Sequence, residues 1–494
     1  MVKKPKQLYN TYQLHDKPNF FMRTGNPTGK ALEIQSFLLN TGGVMIKKLK
    51  FRPMTPPQIL VLGFAVIILL GTCLLMLPFA SATGQSIPFI DALFTSTSAT
   101  CVTGLVVVDT GSTYTMFGQV VIVCLIQIGG LGFMTMATLL AFVFRKKITL
   151  KERLVLQEAF NQGSMEGIVR LIRRVLIYSL TIEAIAAVIF TIRWSFDLGF
   201  SKALYFGIWH AISMFNNAGF DLFGTVDAPF ISLTGYVDDF VINFVAMALI
   251  VLGGIGFIVM SDAIDFRSTK RLSLHSKVVL SMTGLLIVLG ALIIFIFEYT
   301  NNRTIGSLHM GGKILASFFQ SVAPRTAGPN TVDIGAMRQA SQFFMVILMF
   351  IGASPGSTGG GIKTTTFTIL IAAIITMIRG KEDIVIFRYR LAKDRILKAI
   401  TLTMVALFLV IMVTMLLSTT EDSQLLKILF EVTSAFATVG LTMGLTPDLT
   451  TFGKILISMT MFAGRLGLIT LAYALQPKQE KELFRYPEGK ITIG

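Results

Sequence analysis

Long uncharged stretches alternate along this chain with short polar ones. No charged residue lies between Arg52 and Asp91, Asp109 and Arg145, Asp239 and Asp262, Lys277 and Glu298, or Lys398 and Glu421. About 20 apolar residues in a row suffice to cross a bilayer as a helix. The pattern predicts outer spans at 58–80, 172–193, 277–298 and 397–418, and inner spans at 115–144, 238–263, 338–378 and 450–475. Each outer span is followed by a segment too short to cross: 87–100, 201–216, 308–324 and 423–436. Each short segment ends in a small-residue turn built on one glycine. The turns are Cys101-Val102-Thr103-Gly104, Asn216-Asn217-Ala218-Gly219, Arg325-Thr326-Ala327-Gly328 and Ala437-Thr438-Val439-Gly440. Their glycines are 115, 109 and 112 residues apart, which marks an internal repeat.

The fold expected is an all-α polytopic membrane protein of eight transmembrane helices. Four pseudo-repeats, each of helix, pore half-helix, filter loop and helix, would surround a central pore. The repeats are assigned to 57–145, 146–265, 266–380 and 381–476, between a basic cytoplasmic tail at 1–56 and a cytoplasmic tail at 477–494. A second mark keeps step with the first. Gly129-Gly130-Leu131-Gly132, Gly253-Gly254-Ile255-Gly256, Gly352-Ala353-Ser354-Pro355 and Gly464-Arg465-Leu466-Gly467 fall in successive inner spans. Glycines in membrane helices serve close packing, but two marks in register in four repeats ask for more than packing.

Composition agrees. The chain is 53% hydrophobic and 14% charged, where soluble domains carry about 25% charged residues. Assigning loops alternately to two sides puts 33 of the 43 Lys and Arg on one of them. Basic excess in short loops marks the cytoplasmic face. Both termini are therefore expected inside a cell membrane, and the net charge of +16 calls for no nucleic acid. The start, Met1-Val2-Lys3-Lys4-Pro5-Lys6, lacks the apolar core of a secretory signal, so the first span is expected to be retained. Three cysteines (Cys73, Cys101, Cys124) and four histidines (His15, His210, His275, His309) show no disulfide or metal-ligand spacing, and no nucleophile–base pair suggests an enzyme.

Non-helical backbone at membrane depth is tolerated only where protein buries it or where it lines a watery cavity. Four uncharged turns converging on one axis could replace an ion's hydration shell with backbone carbonyls. The expected ion-binding residues are accordingly Cys101, Val102, Thr103, Gly104, Asn216, Asn217, Ala218, Gly219, Arg325, Thr326, Ala327, Gly328, Ala437, Thr438, Val439 and Gly440.

The four turns resemble the four filters of the Trk/Ktr/HKT superfamily of potassium transporters, over about 57–475. With no added N-terminal helix pair in view and short loops, the chain looks most like the Ktr membrane subunit. The resemblance implies a monomer holding a complete pore and a transported potassium ion, with sodium dependence left open. No cofactor is expected on this chain. The resemblance further implies a homodimer seated on a cytoplasmic ring of nucleotide-binding RCK subunits. Four filter glycines favour potassium, because serine at the first such position accompanies sodium preference in the plant branch. Pro329 departs from the pattern, where an aromatic residue is expected. A Na+-permeable or Na+/K+-cotransporting member, or a coupled secondary transporter, is the alternative. Inverted repeats would mark the latter, whereas these four share one direction.

The third inner span is interrupted between Gly352 and Thr366 by five glycines, a proline and Lys363. No regular lipid-facing helix tolerates that. A cytoplasmic loop there would add a ninth crossing and reverse the charge assignment beyond it. An intramembrane loop below the filter fits better, and in the related family such a loop restricts permeation. The gate is accordingly expected at Gly352, Ser354, Gly356, Gly359, Gly360, Gly361, Lys363 and Thr364, with Arg465 against it. A charge at membrane depth costs about 2.5–3.5 kcal/mol on insertion scales and faces a cavity or a partner. For Arg465 the readings are a structural ion pair or a cation-repelling gate residue, and the related family has an arginine at the matching position. Glu183, on an outer span, is expected to pair with a polar neighbour. Asp109, Asp221 and Glu421 either draw cations to the mouth or are ordinary solvated loop residues.

Overall fold

The computed structural model describes residues 54–143, 148–159, 167–475, 487, 489 and 492. The N-terminal tail to residue 53 and nearly all of 477–494 lie outside the described residues, as do the expectations placed on them.

Helices account for nearly all of the regular structure. They are α1 (Pro56–Leu75), α2 (Phe89–Cys101), α3 (Met116–Leu131), α4 (Phe133–Val143), α5 (Leu150–Ala159), α6 (Ile168–Leu198), α7 (Phe200–Phe215), α8 (Phe240–Gly254) and α9 (Phe257–Thr269). After these come α10 (Leu274–Glu298), α11 (Met310–Val322), α12 (Gln339–Phe350), α13 (Thr364–Ile378), α14 (Lys393–Leu417), α15 (Leu425–Ala437), α16 (Thr451–Leu466) and α17 (Leu468–Leu475). An antiparallel hairpin of β1 (Val385–Ile386) and β2 (Tyr389–Arg390) joins α13 to α14. Among the described residues, α1, α6, α10 and α14 are each long and apolar enough to cross a membrane, and α8 with α9 make a fifth span if the bent pair is one. The chain is a multi-pass membrane protein.

Local chemistry sets these boundaries. A capping box closes the start of α1, where the Gln58 side chain accepts from the Thr55 N–H and prolines fill the first turn. Side chains of Thr115, Asp239 and Thr450 accept the orphan N–H groups of Gly118, Ile242 and Gly453 and start α3, α8 and α16. The short helices α2, α7, α11 and α15 hold many of the large buried side chains, among them Phe94, Trp209, Phe215, Phe319 and Phe430. The long helices expose Leu70, Ile185, Val288 and Phe408, as lipid-facing elements do.

The inner spans 115–144, 238–263 and 450–475, expected as continuous helices, are instead broken. Each break falls at the last glycine of the second mark. Gly132, Gly256 and Gly467 take φ of 83°, 92° and 82° with ψ of 133°, 143° and 135°. Backbone in that region cannot continue an α-helix and is open to glycine alone at low cost. Across Gly256 the helices turn by 101°. The third inner span breaks far more widely, from Phe350 to Thr364.

The first glycine of each mark has a different duty. A Cβ on Gly129, Gly253 or Gly464 would collide with the carbonyl of Thr100, Phe215 or Phe436 respectively. Each of these carbonyls sits four residues before a turn glycine, at the end of the short helix. In the third case the clash for Gly352 is with the Gly360 carbonyl, inside the interruption itself.

Gly253→Ala should therefore lower the thermal midpoint of the purified protein in detergent, on the scale of about 1–3 kcal/mol for overpacking. Gly284→Ala on α10, where a Cβ meets nothing within 4 Å, should leave it unchanged or raise it. A thermal melt of both variants checks the contrast, and equal shifts would contradict it.

Candidate ion pathway

The four turns share one backbone. The residue two before each glycine is left-handed, with φ of 58° at Val102, 58° at Asn217, 72° at Thr326 and 51° at Thr438. The glycines follow at 91°, 73°, 82° and 90°, while Thr103, Ala218, Ala327 and Val439 between them keep negative φ. A β-branched residue at positive φ is a genuine outlier and costs on the order of 1–3 kcal/mol. Three of the four positions hold one.

The surroundings hold this conformation. The N–H groups of Thr103, Ala218 and Val439 donate to the carbonyls of Ser98, Ser213 and Ser434, each at 2.8 Å. The Ser98 and Ser434 hydroxyls accept from Gly104 N and Gly440 N, both at 3.1 Å, and Ser213 donates to the Phe220 carbonyl at 2.6 Å. A serine six residues before the glycine thus anchors three of the turns. That spacing was present in the sequence and was missed; the third turn has Val322 instead.

The turns also meet one another in a closed circuit. A Cβ on Gly104 would lie 3.0 Å from the Gly219 Cα, and one on Gly219 2.7 Å from the Gly328 Cα. One on Gly328 would lie 2.8 Å from the Val439 carbonyl, and one on Gly440 2.9 Å from the Gly104 Cα. The second and third turns are also tied through side chains. In the orientation that satisfies every contact, the Asn217 amide donates to the Met214 and Ile250 carbonyls at 3.1 and 3.2 Å and accepts from Thr326 Oγ1 at 3.2 Å.

Side chains three before the glycine contact the helices behind. Asn216 donates to Gln127 Oε1 at 2.7 Å. Arg325 donates to the carbonyl and hydroxyl of Thr283 on α10, both at 3.2 Å. Cys101 and Ala437 are buried.

The interruption after α12 packs against these turns. Gly360 N donates to Thr438 Oγ1 at 2.9 Å, and a Cβ on Gly359 would collide with Thr326 Oγ1. The rest is laced to the bend between α8 and α9: Ser354 N to the Gly254 carbonyl at 2.9 Å, Thr358 Oγ1 to the Gly253 carbonyl at 3.1 Å, and Phe257 N to the Gly356 carbonyl at 2.9 Å. Within the segment, Ser354 and Thr364 hydroxyls pair at 2.8 Å, Lys363 Nζ donates to the Gly359 carbonyl at 2.7 Å, and Gly361 lies 3.0 Å from where a Gly352 Cβ would stand. All the residues assigned to the gate thus lie in one knot.

Arg465 enters the same knot from α16. Its guanidinium donates to the carbonyls of Thr358 and Gly129 and, at 2.9 Å, to that of Gly130. Among the described residues no carboxylate forms an ion pair with it. Backbone carbonyls replace the ion pair that one reading expected.

Two of the three outer acids are buried hydrogen-bond acceptors and not ordinary solvated loop residues. Buried Asp109 accepts from Ser112 N at 2.8 Å and from Phe230 N at 3.0 Å. Buried Glu421 accepts from Thr450 Oγ1 at 2.6 Å. Burial pushes the Asp221 carboxyl up to about 7, and the charge of Asp109 adds to the rise. Sequence reasoning also overlooked Glu431, buried on α15, which accepts from Thr442 at 2.9 Å and from Thr446. Its only signal was one acid inside a short apolar segment.

Comparison with known proteins agrees with this architecture. The family model described as "TrkH: Cation transport protein" matches residues 35–483. The chain is 46% identical to the Ktr system potassium uptake protein B of Bacillus subtilis, covering 91% of this chain and 99% of that protein. It is 41% identical to the potassium/sodium uptake protein NtpJ of Enterococcus hirae, covering 91% and 100%. A crystal structure of the potassium transporter TrkH from Vibrio parahaemolyticus shares the fold, with a TM-score of 0.67 at 20% identity over 87% of this chain and 86% of that one. The chain belongs to the TrkH family of cation transport proteins.

Proposed function

We propose that this chain is the ion-translocating subunit of a potassium uptake system, passing K+ inward through a backbone-carbonyl filter gated by an intramembrane loop. The observation that carries the reading is the closed circuit of four turns with matching backbone signs. Alternating positive and negative φ brings successive carbonyls to one side of a strand. Four such strands around an axis replace a hydration shell with dipoles. The residues of that filter are the four per turn given above, arranged as four pseudo-repeats with eight crossings.

Below the filter, Gly359 and Gly360 touch Thr326 and Thr438 directly, so the interrupted segment blocks the exit until it moves. Arg465 latches it through the Thr358 carbonyl and adds a repulsive charge. For an ion about 8 Å away, at an effective dielectric near 20, that repulsion is about 2 kcal/mol. Both termini are read as cytoplasmic, in a cell membrane, from the basic loops.

Sodium remains a second permeant ion in this reading, because one relative at 41% identity is named as a potassium/sodium uptake protein. The chain carries no phosphate-binding Gly-Lys-Ser or Gly-Lys-Thr loop. Nucleotide control therefore belongs to a partner, read here as an RCK ring beneath a homodimer, in keeping with relatives named as parts of a Ktr system.

Three outcomes are expected in proteoliposomes. Arg465→Ala raises K+ flux at equal expression by up to roughly tenfold, about 1.4 kcal/mol of barrier; unchanged flux removes Arg465 from the gate. Gly104→Ser, whose Cβ must displace the Ala218 carbonyl, lowers the K+/Na+ uptake ratio by roughly tenfold. An unaltered ratio contradicts the filter. Raising external pH through about 7 ionises Asp221 and so lowers the K+ concentration for half-maximal uptake. Asp221→Asn should abolish that dependence, and a dependence that survives the substitution contradicts the assignment.

A further inference from the structure

Glu183 is a carboxylate in the middle of α6, buried in a stretch, 175–192, that holds no other charged residue and belongs to a helix able to cross the membrane. Such a group is costly there and persists where its partners compensate. Its partners are two amides from different elements. Gln127 on α3 donates through Nε2 to Oε1 at 3.3 Å and Oε2 at 3.2 Å. Asn216, the first residue of the second turn, donates through Nδ2 to Oε1 at 3.2 Å and to Gln127 Oε1 at 2.7 Å.

One carboxylate thus joins an outer helix, an inner helix and the entry of the second filter strand. The next residue, Asn217, is left-handed and carries the side-chain tie to Thr326. The matching position in the other turns is Cys101, Arg325 or Ala437. Asn216 is the only one of the four that reaches a carboxylate among the described residues. On its far side Asn216 is confined too, since its Oδ1 stands where a Cβ on Gly130 would be. The Gly130 carbonyl in turn accepts from Arg465.

We propose that Glu183 is a positioning residue for ion selection. Through Gln127 and Asn216 it fixes the rotation of the second strand, and so the direction of its carbonyls, without touching the ion. The inference rests on the carbonyl-filter reading of the turns.

The test is K+ and Na+ uptake by the full chain in proteoliposomes, with Gly104→Ser as reference. Glu183→Gln keeps one oxygen facing both amides, and Glu183→Leu keeps none. The K+/Na+ ratio should fall about threefold in the first and about tenfold in the second, losses on the scale of one or two hydrogen bonds. Asn216→Asp alone, which sets two carboxylates against each other, should lower the ratio comparably. The Glu183→Gln/Asn216→Asp double variant exchanges acid and amide and should recover to within about twofold of the parent. A merely structural role would lower uptake of both ions together and leave the ratio alone.

An unchanged ratio in Glu183→Leu, while Gly104→Ser lowers it, overturns the role of Glu183 and leaves the filter standing. A ratio moved by neither variant overturns the filter reading, and this inference with it. If Glu183→Leu does not reach the membrane, the Asn216→Asp single and double variants carry the comparison. A double variant no better than the single overturns the proposal.

Discussion

Every backbone N–H and C=O at membrane depth must find a partner inside the protein, and this structure is organised around that requirement. A helix meets it alone; a turn of small residues cannot. In three turns an N–H group is met by the carbonyl of the serine six residues before the glycine, and in the first and fourth the glycine N–H is met by that serine's hydroxyl as well. In the third, the N–H groups of Arg325 and Ala327 reach the carbonyls of Val322 and Ala323. On the filter reading proposed above, the partner of the turn carbonyls is the permeant cation itself, with no ring of carboxylates.

The same constraint explains the asymmetry among the four parts. Where an inner helix breaks at a single glycine, as at Gly132, Gly256 and Gly467, few groups are freed. Between Phe350 and Thr364 many are freed, and they are met by the carbonyls of Gly253 and Gly254, by the Thr438 hydroxyl and by the Lys363 ammonium. These bonds are individually weak, about 0.5–1.5 kcal/mol net. A segment held by several such bonds, without a helical ladder of its own, suits the moving part that the proposed gate requires. Arg465 holds it through the Thr358 carbonyl.

Much of this was legible in the sequence because the signals were long or repeated. The charge-free runs placed α1, α10 and α14, and the apolar stretch around Glu183 placed α6, all within a few residues of their ends, and the four turn glycines were found by their spacing. The breaks at Gly132, Gly256 and Gly467 were not foreseen. A glycine at the end of Gly-Gly-Leu-Gly reads equally as a packing site or a hinge, and only the φ of 83° at Gly132 decides. Of the two readings of Asp109 and Glu421, the solvated one fails because Phe230 and Thr450, which help to bury them, are 121 and 29 residues away. Glu183 was recognised as paired, but its partner Asn216 could not be named from sequence, since Gln127 and Asn216 come together only in the fold.

The most direct measurement of the central claim is the position of the permeant ion itself. Anomalous scattering from crystals of the full chain grown in Rb+ or Tl+ would supply it. The account predicts density on the axis between the four turns, ringed by main-chain oxygens of residues 101–104, 216–219, 325–328 and 437–440. Density seated on a side-chain carboxylate such as Glu431 or Asp221, with the axis between the turns empty in a transport-competent preparation, would contradict it.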